Sequence, residues 1–540
     1  MAKIRISKKE LRKLTNAENI VYSLNMLGFP AEEINDNEVE VEVFPNRPDA
    51  LSIQGLARAL NAFLGKETGI KEYSMQSAKK EEYIKVEKSV TDVRPLTLCA
   101  IVNDIPLDEH KLKEIIDLQE KLHNTLGRKR KKCAIGIYPL EKIKFPITYK
   151  ALPPKEINFK PLGISRIMSA QQILEKHPAG KEYSGLLKNF SKYPIFIDSD
   201  NKILSMPPII NSEDVGKIEI STKDVFVECS GWNKRTLEKT LAIIVTTLAE
   251  MGGKIHQVRI TGNYEQLTPE LLKETKKIDL NDVNSILGLK IKEKDLEKLL
   301  KKMQYEYSKG KVTIPSWRAD ILHQIDIIED IAIAYGYENL EPEMPKIATI
   351  GRENKNSIIK SKIMEIFTGL GCLETLSYHF ITQNESEVWN AEKTISLENT
   401  KTDYKKLRPS LKIPLLRILS QNTHAEYPQH IVEVGNVFNP DNESSTGISE
   451  QENIGYACTP GNFTSAKQIL DYMFKSLGLS YEIHESENEG LIEGRTGAIF
   501  LGSKKIGYIG EVHPRILQKL GIKMPTAVIE ISLKEIFDKF

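Results

Sequence analysis

The 540-residue chain sets 75 Lys and Arg against 74 Asp and Glu, with 40% hydrophobic residues. That balance argues against nucleic-acid binding through an overall field and leaves only local patches, while the length allows roughly three to five domains with real cores. Cys99, Cys133, Cys229, Cys372 and Cys458 are scattered without a CxxC pair, which argues against a zinc site or a disulfide framework.

To about residue 80 the pattern is that of a small α+β unit, in which "NEVEVEVF" alternates with period two as a strand. Here "NRPDALSIQGLARAL" supplies a turn at Pro48 and Asp49 before a helix that Ser52 can cap. Residues 81–262 form the largest domain, a mixed α/β region. In it, "YPIFIDSDNKILSMPPIIN" reads as two apolar strands around a polar turn and "TKDVFVECSG" as a buried strand. Its closing helix, "KRTLEKTLAIIVTTLAEMGG", stops at Gly252 and Gly253. Residues 263–345 combine short helices with the strand "GKVTIPSW", a helix-turn-helix-like outline. Residues 346–540 mix helices with strands such as "HIVEVGNVF" and "TAVIEISL", an antiparallel-sheet α+β pattern. The helical run "TLAIIVTTLAEMGG" is too short and polar to span a bilayer, and the start lacks a signal-peptide core, so a cytoplasmic protein with no membrane role is expected.

Chemistry-bearing motifs are sparse. There is no GxxxxGK[ST], HExxH or GxSxG, and "DSDNK" lacks the glycine and glutamate of an EF-hand loop. Two features stand out. In "GRKRKK", Gly127 to Lys132, five consecutive cations occupy a loop, as a solvated turn, a localisation-like patch or an RNA phosphate contact. In "SWRADILHQIDIIEDIAIAYGYENL", Asp326, Glu329 and Asp330 share one helical face, with Asp320 just ahead. The opposite face carries Ile325, Ile328, Ala332 and Tyr335, a stripe expected to pack on a core. Asp320 is placed either to cap the helix or to turn towards the other three and complete an oxygen cluster for magnesium. Spacing alone favours a solvated acidic face, partly neutralised by Arg318 and His323.

Four stretches, "FPNRPDALSIQGLARALNAFLG", "GRKRKKCAIGIYPLEKI", "ILSMPPIINSEDVGKIEISTKDVFVECSG" and "IPSWRADILHQIDIIEDIAIAYGYENL", follow one another in an order and spacing that resemble the β subunits of phenylalanyl-tRNA synthetase, of archaeal and eukaryotic-cytosolic type. The resemblance implies an (αβ)₂ heterotetramer in which the α subunit binds ATP and phenylalanine and charges the tRNA. The domain from 346 would then be a class II synthetase-like core that is catalytically silent, since neither "HIVEVGNVF" nor "GYIGEVHP" carries the required arginine. Arg408 and Arg417 remain as helix-surface or interface charge. It further implies that the middle domain hydrolyses mischarged Tyr-tRNA in a pocket drawing on Phe196, Ser205, Asn211, Lys217 and Glu228, with Glu228 accepting the tyrosyl hydroxyl. Without the resemblance, Glu228 reads as an edge-strand carboxylate paired with Lys217 or Lys223. Magnesium is implied on Asp320, Asp326, Glu329 and Asp330 in a structural role. A stand-alone trans-editing hydrolase and a non-enzymatic nucleic-acid-binding scaffold are the alternatives.

Overall fold

The computed structural model describes residues 2–15, 17–389, 391 and 394–540, which divide into two compact units, Met1–Met344 and Pro345–Phe540. In the first, the alternation of Glu38–Val43 sends Val39, Val41 and Val43 inward, and the strand takes the centre of a three-stranded antiparallel sheet between Ala2–Ser7 and Ala31–Glu33. Ser52 caps the helix Ile53–Phe63 by accepting from the Gly55 amide at 3.1 Å. Position 55 must be glycine, because a Cβ there would stand 1.8 Å from the Asp49 carbonyl oxygen.

Two larger sheets follow. One has five strands in the order Met75–Gln76, Lys254–His256, Leu96–Asn103, Val225–Gly231, Cys133–Pro139. Its strand Val225–Gly231 is flanked on both sides and buried along its length, which explains the apolar run that encodes it. The helix Lys234–Glu250, capped by Asn233, packs its apolar face on this strand and on Leu96–Asn103. The other sheet has seven strands and ends in the run Ile147–Leu152, Tyr193–Ile197, Ile203–Met206, Ile210–Asn211. Towards the end of the unit, Glu274–Lys277, Lys311–Ile314 and Glu306–Ser308 make a small antiparallel sheet beside the helices Leu280–Leu287, Glu293–Lys302 and Gln324–Tyr335. A single continuous core runs from Ile4 to Ala334. That core is continuous across positions 80 and 262.

The second unit is built on a seven-stranded sheet, antiparallel except where Leu373–Glu374 pairs parallel with Gln429–Pro440. Alternation along Ile448–Thr459 divides its residues between two cores. Tyr456 and Cys458 face the helices Lys355–Gly369 and Phe463–Ser476, while Ala457 faces Lys412–Gln421. Arg408 is not helix-surface charge. It is 1% exposed and donates from Nη1 to Glu433 Oε1 (2.6 Å) and Ser377 Oγ (2.8 Å), and from Nε to the Asn436 carbonyl (2.8 Å). Arg417 is half-buried and donates to Glu385 at 3.2 and 3.3 Å. Both guanidiniums are thus engaged within the unit's own packing. All five cysteines are free and buried, and no helix among the described residues is long and apolar enough to cross a membrane.

Candidate functional site

Where the two large sheets of the first unit meet, a cleft of about 440 Å³, open mouth included, is lined by Glu228, Ser205, Asn211, His123 and Arg130 among others. Glu228 lies on the floor. Its strand is central, not an edge, and its partners across the ladder are Cys99 and Gly136. Gly136 decides the local geometry. With no side chain there, Tyr138 folds over the gap, and a Cβ at 136 would come within 2.2 Å of the Tyr138 hydroxyl and 2.7 Å of Glu228 Oε1. The Tyr138 hydroxyl lies 2.8 Å from Ser205 Oγ and 3.2 Å from Glu228 Oε1, so its one hydrogen is shared between them. Glu228 Oε2 is buried without a partner.

Burial pushes the Glu228 carboxyl up to about 8, although the nearby Arg94 guanidinium and the Tyr138 hydroxyl both pull it down. Arg94 is itself buried and donates from Nε to Ser230 Oγ at 3.1 Å. Near neutral pH, Glu228 therefore keeps its proton and presents a carboxylic acid with one unsatisfied oxygen to the cleft. The wall is set by His123. Its Nε2 accepts from the Ile135 amide (2.8 Å), which leaves Nδ1 to donate to Glu120 Oε1 (3.2 Å), and burial lowers its pKa so that the ring stays neutral. Glu120 in turn accepts from Arg130 Nη2 at 3.0 Å.

Of the residues expected here, Ser205, Asn211 and Glu228 come together; Ser205 and Asn211 face each other across paired strands. Phe196 and Lys217 do not line the cleft. Phe196, opposite Ser205 in the paired strands, is fully buried and stacks on Tyr149 at 4.4 Å. Lys217 is exposed, beyond a turn closed by the Gly216 amide on the Ser212 carbonyl at 2.8 Å. Neither Lys217 nor Lys223 pairs with Glu228, whose strand is walled in on both sides. Sequence reading missed Tyr138, Gly136, Arg94 and His123. The signal was the glycine in "CAIGIYP", since glycine inside an apolar strand marks a close approach.

The acidic helix Gln324–Tyr335 gives a second group. Its N-cap is His323, not Asp320: His323 Nδ1 accepts from the Ile325 amide (3.3 Å), and Asp326 Oδ2 accepts from the Leu322 and His323 amides (2.8 Å each). Asp320 is held by Arg318 through two hydrogen bonds of 2.8 and 2.7 Å. Arg318, 2% exposed, also donates to Asp330 Oδ2 at 2.7 Å, and that oxygen accepts from the Tyr305 hydroxyl as well. Only Glu329 is exposed and uncommitted. The core stripe runs through Ile327, Ile328, Ile331 and Ala334, whereas Ile325 is 46% exposed. All four carboxylates border one cavity, yet among the described residues no three acidic, histidine or cysteine groups converge as a metal cage. The uncommitted donors, Glu329 with Oδ1 of Asp326 and Asp330, fit an ion that keeps much of its water shell rather than a closed ligand set.

Comparisons with known proteins agree in direction. The sequence pattern of the family described as "tRNA synthetase B5 domain" matches residues 276–337, and that of "Phenylalanyl tRNA synthetase beta chain CLM domain" matches residues 340–533. The phenylalanine–tRNA ligase β subunit of Thermococcus sibiricus is 39% identical over 558 residues, covering 99% of each chain. That of Archaeoglobus fulgidus is 37% identical over 548 residues, covering 98% of this chain and 97% of its own. Among solved structures, an N-terminal fragment of the phenylalanyl-tRNA synthetase β subunit from Pyrococcus horikoshii is 37% identical, with a TM-score of 0.59. The alignment covers 62% of this chain and 99% of the fragment.

Proposed function

The chain belongs to the family of phenylalanine–tRNA ligase β subunits, and from that premise we propose that its cleft at Glu228 hydrolyses tRNA mischarged with tyrosine. A phenylalanine pocket rejects tyrosine weakly, because excluding an isostere with one added hydroxyl yields only about a hundredfold discrimination. A second site that demands the hydroxyl corrects the error. The observation that carries this reading is the buried, unpartnered Glu228 Oε2 on the cleft floor, with Tyr138 and Ser205 fixing the other oxygen. A tyrosyl hydroxyl satisfies that atom, while a phenylalanyl ring leaves it dry and unpaired. That difference is worth about 1–3 kcal/mol, or roughly 5- to 150-fold.

Ser205 acts through Tyr138, so it is a positioning residue; Asn211, at the cleft wall, offers an amide to the aminoacyl ester. The hydroxyl of Ser205 at the cleft is engaged by Tyr138 and no cysteine is among the lining residues, which supports attack by water held there, assisted by a hydroxyl of the terminal ribose. The test is steady-state hydrolysis of Tyr-tRNA by the chain assembled with its α subunit. Asn211→Ala is expected to lower the rate with little change in the Tyr to Phe ratio. An unchanged rate would remove Asn211 from the site.

As a β subunit the chain implies an α partner. The proposed assembly is a cytoplasmic (αβ)₂ heterotetramer in which α binds ATP and phenylalanine and the second unit here serves as a silent class II-like core. The burial of Arg408 on Glu433 and of Arg417 against Glu385 supports that silence, because neither guanidinium is free to meet a phosphate. Magnesium at the acidic helix is proposed in a weaker form than a caged site. Glu329, Asp326 and Asp330 would hold it largely through water, and it would supply charge neutralisation, not chemistry.

A further inference from the structure

We propose that the loop Gly127–Lys132 binds the phosphates of an RNA 3′ end as it enters the Glu228 cleft; this rests on the cleft being the site of hydrolysis. The five cations of "GRKRKK" divide by direction. Arg130 turns inward and lines the cleft. It donates to the Ile209 carbonyl (2.7 Å) and to Glu120 (3.0 Å), and its guanidinium sits 4.4 Å from the Tyr183 ring centroid. Arg128, Lys129, Lys131 and Lys132 are exposed, and none forms a side-chain hydrogen bond or ion pair among the described residues. Four free charges therefore stand beside a residue that forms the cleft wall.

The loop is held, not loose. Lys132 N–H donates to the Gly127 carbonyl (2.8 Å), Gly127 N–H to Leu122 (2.8 Å) and Arg130 N–H to His123 (3.1 Å). Arg128, Lys129 and Arg130 take φ of 47°, 52° and 63°, a run of left-handed residues that costs about 1–2 kcal/mol each. A solvated basic turn needs no such backbone. Here it anchors Arg130 inward while its chain neighbours stay exposed to solvent. An aminoacyl group on the cleft floor stays bonded to its nucleotide, and a chain leaving past Arg130 would pass the four exposed cations beside it. In a protein of net charge +1, this local concentration of charge is the feature a polyanion would find.

The test uses the full-length chain, wild type and the R128Q/K129Q/K131Q/K132Q variant, which leaves Arg130 in place. Binding of a fluorescent acceptor-stem minihelix with a single-stranded CCA end, and of a blunt duplex without it, is read by anisotropy across a salt series. The expected result is at least about a tenfold loss of minihelix affinity in the variant. Its slope of log affinity against log salt should be shallower by about 2–3, because each single-strand phosphate contact contributes about 0.7. The wild type should also prefer the overhang. Equal affinity and slope in the two proteins would overturn the proposal, as would equal wild-type binding of the two RNAs, or an acidic peptide competing as well as the minihelix. If Tyr-tRNA hydrolysis persists while the variant binds normally, only the loop assignment fails. If binding depends on the loop but Tyr-tRNA is never hydrolysed, the loop stands and the hydrolytic reading falls.

Discussion

Glu228 makes the stability of the first unit depend on pH in a defined direction. Burial raises its pKa from 4.5 to about 8, so the native state holds a proton that the unfolded chain releases over that interval. Stability from this group is fully present below pH 4.5 and is lost as pH rises through about 8. Between about pH 6 and about pH 9 the loss is about 3 kcal/mol, from some two units of titration below the folded value at 1.36 kcal/mol each. Glu228→Gln keeps the shape and the hydrogen-bonding atoms but has no proton to lose. Urea unfolding of both proteins at the two pH values isolates the effect, because every other titrating group cancels in the comparison. The variant should gain about 3 kcal/mol on wild type between the lower and the higher pH. Parallel stability profiles would refute the burial argument, and with it the neutral carboxyl at the cleft floor.

Other outcomes follow from the same geometry. Arg318→Gln leaves Asp320 and Asp330 buried without their cation and should cost about 3–5 kcal/mol in chemical unfolding, far more than any exposed charge change. Asp326→Ala removes half of a capping box and should cost about 1 kcal/mol in chelated protein, and more with magnesium present, because it also removes one of the groups proposed to hold the ion. Glu329→Gln, on an exposed uncommitted carboxylate, should leave chelated protein unchanged in melting and abolish any rise on adding magnesium; a persistent rise would place the ion elsewhere. Gly435→Ala drives a Cβ to within 2.3 Å of Arg408 Nη2 and should destabilise the second unit by several kcal/mol, visible as a lower melting temperature.

Local patterns were legible wherever burial follows a simple period. The strand Glu38–Val43, the hairpin around Asp198–Lys202 and the helix Lys234–Glu250 with its Gly252 stop all stand where alternation and end signals put them. Ser205, Asn211 and Glu228 were legible through family resemblance, and the structure brings them to one cleft. Long-range consequences were not legible. No spacing rule links Tyr138 to Ser205, 67 residues away, or Arg130 to Ile209, 79 residues away. Helical spacing put Asp326, Glu329 and Asp330 on one face, and the expected neutralisation by Arg318 is met, but spacing could not show that this arginine is buried and bonds both Asp320 and Asp330. Of the expected stripe, Ile328 and Ala332 do face the core, whereas Ile325, in the first turn of the helix, is 46% exposed.

The ratio of Tyr-tRNA to Phe-tRNA hydrolysis by the wild-type αβ complex tests the central claim most directly, with Glu228→Ala measured alongside. A preference for Tyr-tRNA of about 5- to 150-fold that collapses towards one in the variant is the predicted result. Survival of Tyr-tRNA, or a preference that Glu228→Ala leaves intact, would contradict the assignment of editing to this cleft.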